Sequence, residues 1–389
     1  MNMNRIGNTL RNGLTSGTQR RFYHIPNSLA SPRQPTTRAL NPLVEQQLRP
    51  YKPNPSGYPP SRPLHRRQLH TTQPTTMGQR SNIQPQSVDA PLTQFATFIV
   101  LSVKDTPDAI KTARSTIAGI EDLTKNVTIR DLNALFTCTV GIGSDIWDKL
   151  TGLPRPAELH PFKEVKGKTH TAVSTPGDIF FHIRSERRDL CFEFERQLMD
   201  NLGDSVSLVD ETEGFRYFDV RDLLGFVDGT ANPVGPSVPE AVIVSQDESG
   251  VGGSYIVVQK YLHDMPAWKA QSTGAQEGII GRTKVDNIEL DDAESGQQSH
   301  KSLATIGEDG EEHEILRDNM PFGSPASGEF GTYFIGYTAE LWVIERMMER
   351  MFVGDPPGLH DRILDFSRPL TGTTFFAPSA SVLAGLEND

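Results

Sequence analysis

The stretch Gly225-Phe226-Val227-Asp228-Gly229-Thr230-Ala231-Asn232-Pro233 sets a single carboxylate between two glycines in an otherwise apolar loop. A tight turn would account for the glycines alone. Leu223, Leu224, Phe226 and Val227, however, draw Asp228 toward an interior where an unpaired carboxylate is costly, so a functional partner is expected. Histidine is the other residue type that could carry chemistry. Of the 10 in the chain, His24, His65 and His70 lie in the N-terminal leader, leaving His160, His170, His182, His263, His300, His313 and His360 in the body. No pair of these has convincing metal-ligand spacing. A single axial histidine is enough for haem, because the porphyrin supplies four of the iron's ligands. Spacing alone does not choose among the seven.

Several reaction classes drop out. The chain has no Gly-x-Ser-x-Gly elbow, no phosphate-cradling Gly-x4-Gly-Lys-Ser/Thr loop and no Cys-x-x-Cys pair. His313-Glu314 begins as a zincin helix would, but Arg317 stands where the second histidine belongs. Cys138 and Cys191, in apolar sequence, are expected to be structural thiols.

The elements that must position these groups begin after Pro91. Phe95–Val103 is an apolar run of strand length, and Thr106-Pro107-Asp108 is a helix start with Ile110, Ala113, Ile117 and Ile120 on one face. A strand over Leu132–Val140, a short helix over Asp145–Leu150, a strand over Ile179–Ile183, a helix over Phe192–Leu202 and a strand over Phe215–Phe218 follow. The order recurs with Tyr255–Tyr261 as strand, Met265–Ala270 as helix, Thr332–Tyr337 as strand, and a long helix through Leu341, Ile344, Met348 and Met351. The pattern predicts an α+β fold of two duplicated ferredoxin-like modules, over 91–240 and 241–389. Residues 271–330, a long polar insertion holding His300, His313 and Arg317, distinguish the second module, and loops of that length are usually functional or disordered.

Residues 1–90 read as a leader. The first 88 contain 12 Lys and Arg but one acidic residue, Glu45, and resemble a segment drawn into the mitochondrial matrix and then removed. Arg20-Arg21-Phe22-Tyr23-His24 and Arg67-Gln68-Leu69-His70-Thr71-Thr72 are possible cleavage contexts, residues 25–90 suit a disordered linker, and a start at Met77 would leave a cytosolic form. Without the leader the body is strongly acidic, with a formal charge of −22. Such a surface repels phosphate backbones, so nucleic acid is not an expected partner. No apolar run approaches the ~20 residues that span a bilayer.

With Gly225, Asp228 and Gly229 matching its Gly-x-x-Asp-Gly hallmark, the chain resembles the dye-decolorizing peroxidases, in particular the compact class of bacterial B type. The resemblance spans residues 92–380 and includes Thr175-Pro176-Gly177-Asp178-Ile179-Phe180-Phe181-His182-Ile183-Arg184, Ile280-Gly281-Arg282-Thr283-Lys284, Ser299-His300 and Arg317-Asp318-Asn319-Met320-Pro321-Phe322-Gly323. It implies a dimeric α+β barrel within one chain, one haem b per chain, and reduction of hydrogen peroxide through a ferryl intermediate discharged by phenols, dyes or other small donors.

Carried onto this sequence, the resemblance makes His300 the iron ligand, with Asp361 behind its other nitrogen and Asp365 as the fallback. Asp228 would move the peroxide proton while Arg317 stabilises charge on the departing oxygen and Asn319 hydrogen-bonds peroxide or water; family members weight the distal Asp and Arg differently, and Arg317 is expected to dominate in this chain. Arg282 would pair with a haem propionate, and Asn232 is a further, motif-adjacent cofactor contact. Self-association is also implied. Two other classes compete: a haem-handling protein for storage, delivery or iron removal, which retained Asp228 and Arg317 argue against, and a haem-free ferredoxin-like binding module.

Overall fold

The computed structural model describes residues 83–388 except Glu248 and Asp309, so the leader with its cleavage contexts and Met77 lies outside the described residues. The first apolar run is strand β1 (Phe95–Val103). Ala96, Phe98 and Val100 on one face and Ile99, Leu101 and Val103 on the other are all buried, as in a sheet covered on both sides. Thr106 caps helix α1 (Pro107–Ala118) by accepting from the Ala109 N–H, with Pro107 opening the first turn. Helix α2 (Ile120–Thr128), strand β2 (Thr137–Gly143) and helix α3 (Ser144–Thr151) follow. β2 begins at Thr137 rather than Leu132, because Leu132 is exposed and Leu135 has φ of 48°, outside strand geometry.

A small hairpin, β3 (Val165–Lys166) and β4 (Thr171–Ala172), precedes β5 (Ile179–Ser185), helix α4 (Arg188–Leu202) and β6 (Val206–Phe215). β6 contributes only its last residue, Phe215, to the strand expected at Phe215–Phe218, and Phe218 opens a 3-10 turn (Phe218–Val220). The earlier residues of β6, with Glu211 and Glu213, are largely exposed and give no hydrophobic alternation.

The second half opens with helix α5 (Ser237–Val242), strand β7 (Ser254–His263) and helix α6 (Met265–Lys269). The polar insertion then folds into α7 (Thr273–Ile280), α8 (His300–Ala304), β8 (Ile306–Glu308), β9 (Glu311–His313), β10 (Leu316–Arg317) and β11 (Met320–Ser324). β12 (Glu329–Thr338), the long helix α9 (Leu341–Phe352), β13 (Ser367–Pro369) and β14 (Thr373–Ala377) complete it. His313 therefore sits on a strand, where a zincin helix cannot form.

The long strands of the first half lie in the order β2-β5-β1-β6, and those of the second in the order β10-β12-β7-β14. Each half has its chain-first strand inside, between the third and fourth, with helices after the first and third: the ferredoxin-like arrangement, twice. β14 pairs with β2, joining the halves into one 10-stranded antiparallel sheet. At its far ends β11 packs on β6, where Met320 covers Gly214, so the sheet curls into a barrel. The duplicated α+β barrel expected from the sequence is the observed fold.

Two apolar cores follow from this. One lies between sheet and helices, and the other fills the barrel with Phe98, Phe180, Ile256, Tyr333, Tyr337 and Phe375. A smaller third cluster, including Leu224, Phe226, Trp268, Ile280 and Phe366, underlies the loop that carries Asp228. Among the described residues no helix is long and apolar enough to cross a membrane.

Candidate active site

The loop around Asp228 is shaped by its neighbours in sequence. Asp222 ties it off: its carboxylate accepts from the Phe226 N–H at 2.9 Å, and its own N–H donates to the Phe226 carbonyl at 2.9 Å. Gly225 and Gly229 hold φ of 95° and 74°, conformations that side chains disfavour, which explains the two glycines flanking the carboxylate. Trp268 Nε1 donates to the Leu224 carbonyl at 2.9 Å, and Arg221 bridges the carbonyls of Gly225 (3.0 Å) and Lys284 (2.6 Å). Asp228 emerges from this frame into a cavity of about 1280 Å³ including its mouth.

His300 lines the same cavity. It opens helix α8 immediately after Ser299, whose hydroxyl caps the turn by accepting from the Ser302 N–H. Its Nδ1 lies 2.6 Å from Oδ2 of Asp361, a residue with 0% exposure, while 34% of the His300 side chain remains accessible. With Nδ1 taken, Nε2 is the nitrogen left for the cavity. Burial disfavours a charge on this imidazole, yet the charge and hydrogen bond of Asp361 outweigh it and raise the pKa above the ordinary value. Asp361 is held in turn by the 3-10 turn Arg362–Asp365, which it caps by accepting from the Ile363 N–H at 3.0 Å. Asp365, the fallback partner, turns instead toward His170 and His360.

Arg317 and Asn319 reach the cavity from β10 and the turn before β11. The Asn319 carbonyl oxygen accepts from the Ile335 N–H at 3.1 Å, which aims its amide nitrogen at Asp228 Oδ1, 3.4 Å away. Among the described residues the Arg317 guanidinium has one hydrogen-bonding contact, a long one of 3.5 Å to the Ala231 carbonyl. Burial pulls its pKa below the usual value, opposed by the charges of Asp228, Glu312 and Glu314.

Asn232 does not line the cavity. Its side-chain amide closes on the main chain of Arg317, accepting from the N–H at 3.0 Å and donating to the carbonyl at 2.7 Å. Arg282 is on the cavity wall, with Nε 2.9 Å from Asn287 Oδ1 and Nη1 2.9 Å from Glu289 Oε2.

Some site residues carried no sequence signal. His263 lines the cavity with Nδ1 2.8 Å from Ser367 Oγ and Nε2 3.0 Å from Thr332 Oγ1, and burial lowers its pKa to about 4. Asp222 is pushed up to about 7 by burial, with the Phe226 N–H opposing and the Asp228 charge adding to the rise. Behind the cavity, inside the barrel, Asp318 points away from its neighbours Arg317 and Asn319 and meets buried Arg184 at 3.1 Å. Burial raises the Asp318 pKa while the Arg184 charge opposes the rise. His182 and Arg184 lie in a run that looks like an ordinary strand. Only their pairing across the sheet with a residue of the other half gives them a role. The two cysteines are free, and burial pushes the Cys191 thiol up to about 12.

An apolar wall that includes Phe226, Phe334, Met347, Met351 and Leu364, with one accessible imidazole nitrogen backed by a buried carboxylate, fits a flat macrocycle holding a metal that needs one nitrogen ligand. Site and fold together define a haem enzyme of the peroxidase class. The family models "Dyp-type peroxidase, N-terminal" and "Dyp-type peroxidase, C-terminal" match residues 85–216 and 219–382, and the chain belongs to the dye-decolorizing peroxidase family.

It is similar to the dye-decolorizing peroxidases of Brevibacterium linens, 49% identical over 301 residues (77% of this chain, 82% of that one), and Mycobacterium tuberculosis, 48% identical over 303 residues (77% and 90%). The solved structure of DyPB from Rhodococcus jostii RHA1 is 50% identical, covers 77% of this chain and 97% of its own, and superposes with a TM-score of 0.75; variants of that protein have been solved in complex with haem. Deferrochelatases are distant, with that of Escherichia coli 23% identical over 62% of this chain. The protein is a haem peroxidase. The same relatives correct the mitochondrial address and transit peptide expected from residues 1–90: proteins of about half identity come from Brevibacterium, Mycobacterium and Rhodococcus, bacteria that have no such organelle.

Proposed function

We propose that His300 ligates haem b with Asp361 as its carboxylate partner, and that Asp228, Arg317 and Asn319 handle hydrogen peroxide. The observation that carries this reading is the composition of one cavity. It holds an imidazole bonded at 2.6 Å to a fully buried carboxylate, together with a carboxylate, an amide and a loosely held guanidinium whose backbones are pinned. Haem, when bound, supplies the redox centre at which peroxide accepts two electrons and to which small donors such as phenols or dyes return them singly.

The protein's own groups do the rest. Asp361 accepts the Nδ1–H of His300, fixing the tautomer, orienting the ring and making it more electron-donating. Asp228 takes a proton from one peroxide oxygen and delivers it to the other, so that water departs. Arg317 places its donors toward the oxygen on which negative charge grows, and the lack of a close partner for it among the described residues supports that use. Asn319 holds Asp228 in place and offers an N–H to peroxide or water. Arg282, on the wall, is suited to pair with a propionate in exchange for Glu289. Self-association belongs to the same reading, and sedimentation of the haem-loaded chain checks it.

The test compares Asp228→Ala and Arg317→Ala proteins with full haem occupancy by the bimolecular rate of reaction with peroxide. Arg317→Ala is expected to show the larger loss, on the order of 100-fold or more. If neither variant slows, the assignment fails.

A further inference from the structure

Outside the active site, the described residues contain one cluster of three side chains with metal-ligating atoms close together: His170, His360 and Asp365. His170 stands at the tip of the β3–β4 hairpin, in the first module, and its carbonyl accepts from the Gly167 N–H at 2.9 Å, closing the turn. His360 precedes the 3-10 turn Arg362–Asp365 in the second, and Asp365 is that turn's last residue. Both Nε2 atoms converge on one carboxylate oxygen, Asp365 Oδ1, at 3.1 Å from His170 and 2.9 Å from His360, and the two rings meet edge to face at 4.7 Å. Arg362 approaches the other oxygen, Oδ2, at 3.5 Å.

We propose that His170, His360 and Asp365 form a binding site for a divalent transition metal ion, with zinc as the natural occupant, clipping the N-terminal hairpin to the turn that holds Asp361. Without a metal, both imidazoles must place a proton on Nε2 to satisfy a single oxygen. One cation at the point of convergence replaces both protons and takes three ligands at once. Zinc bound at 2.0–2.2 Å in tetrahedral geometry sets its ligand atoms about 3.3 Å apart, so the 2.9 and 3.1 Å separations need to open by only a few tenths of an ångström. Two imidazoles and one carboxylate are a donor set suited to zinc. Side-chain exposures of 22%, 19% and 33% leave room for water in the fourth position.

The consequence reaches the active site through the chain. Asp365 ends the turn whose first N–H groups are capped by Asp361, and Asp361 holds His300. A metal gripping both ends of the segment 360–365 and the hairpin from the other module braces that capping carboxylate. The residues come from positions 195 apart in sequence, so the clip also closes a long loop.

The experiment uses the haem-loaded full chain, whose His300 is already engaged, treated with a chelator and dialysed against zinc chloride. Metal per chain is read by mass spectrometry and thermal stability by the melting midpoint. Wild type is expected to retain one zinc more per chain than His170→Ala or Asp365→Asn, and to gain a higher midpoint with zinc that both variants lack. His170 lies on a hairpin tip, so His170→Ala should keep the haem absorption spectrum of wild type, which verifies the fold. Zinc content equal in wild type and both variants, or a zinc-induced midpoint shift that survives in His170→Ala, overturns the site.

Discussion

Asn232→Ala separates positioning from cofactor contact. Asn232 is half-buried, and its side chain spends an acceptor and a donor on the N–H and carbonyl of Arg317, at 3.0 and 2.7 Å. Alanine removes both bonds and strands two backbone groups beside the cavity. Each lost bond costs ~1 kcal/mol where water can replace it and up to ~3 kcal/mol where it cannot, so a loss of about 2–4 kcal/mol in stability is expected for a half-buried pair. A functional effect of comparable size is expected, because β10 is only two residues long and Asn232 braces it through Arg317. A shift of ~1 Å at the guanidinium slows the reaction on the order of 100-fold. Stopped-flow measurement of the peroxide reaction, alongside haem titration and a urea melt, reads all three quantities. The expected pattern is a slower peroxide reaction with haem affinity unchanged. Weakened haem binding with an unaltered peroxide rate would instead make Asn232 a cofactor contact.

Two further perturbations follow from buried groups. His263 has a pKa near 4 when folded against about 6.5 when unfolded, so the unfolded state binds the extra proton first, and stability falls as pH drops from about 6.5 to 4. The difference corresponds to ~3 kcal/mol at the low end, and His263→Gln should show a flatter decline in urea midpoint across that window; an identical slope contradicts the assignment. Arg184→Met leaves the Asp318 carboxylate buried and unpaired inside the barrel, a loss of roughly 3–5 kcal/mol, whereas Arg184→Met with Asp318→Leu should recover much of it; purely additive losses in that double-mutant cycle contradict the pairing.

How much of this was legible in the sequence depended on whether the signal was local. β1, α1 and α9 announce themselves through apolar periodicity and a Thr-Pro helix start, because burial on one face or both selects those residues in a repeating pattern. β6 hides its strand behind Glu211 and Glu213, since exposed positions place no apolar demand on the chain. The insertion 271–330 looked like a loop because its elements, including α8 and β10, are too short to show a period, and their stability comes from neighbours far away in sequence.

The site divides in the same way. The Gly225–Gly229 frame around Asp228 is a local motif. Choosing His300 among seven histidines required the resemblance, because nothing in its neighbourhood encodes Asp361, which lies 61 positions further on. His263, Asp222 and the Arg184–Asp318 pair stayed hidden for that reason: each matters through partners that only the folded sheet brings near.

The central claim is that His300, held by Asp361, ligates the haem iron. Its most direct test is the absorption and magnetic resonance spectrum of haem titrated into wild-type, His300→Ala and Asp361→Asn proteins. Wild type should show a histidine-ligated ferric spectrum, lost in His300→Ala and restored there by added imidazole, and Asp361→Asn an altered but still histidine-ligated one. Haem bound with an unchanged spectrum in His300→Ala would contradict it.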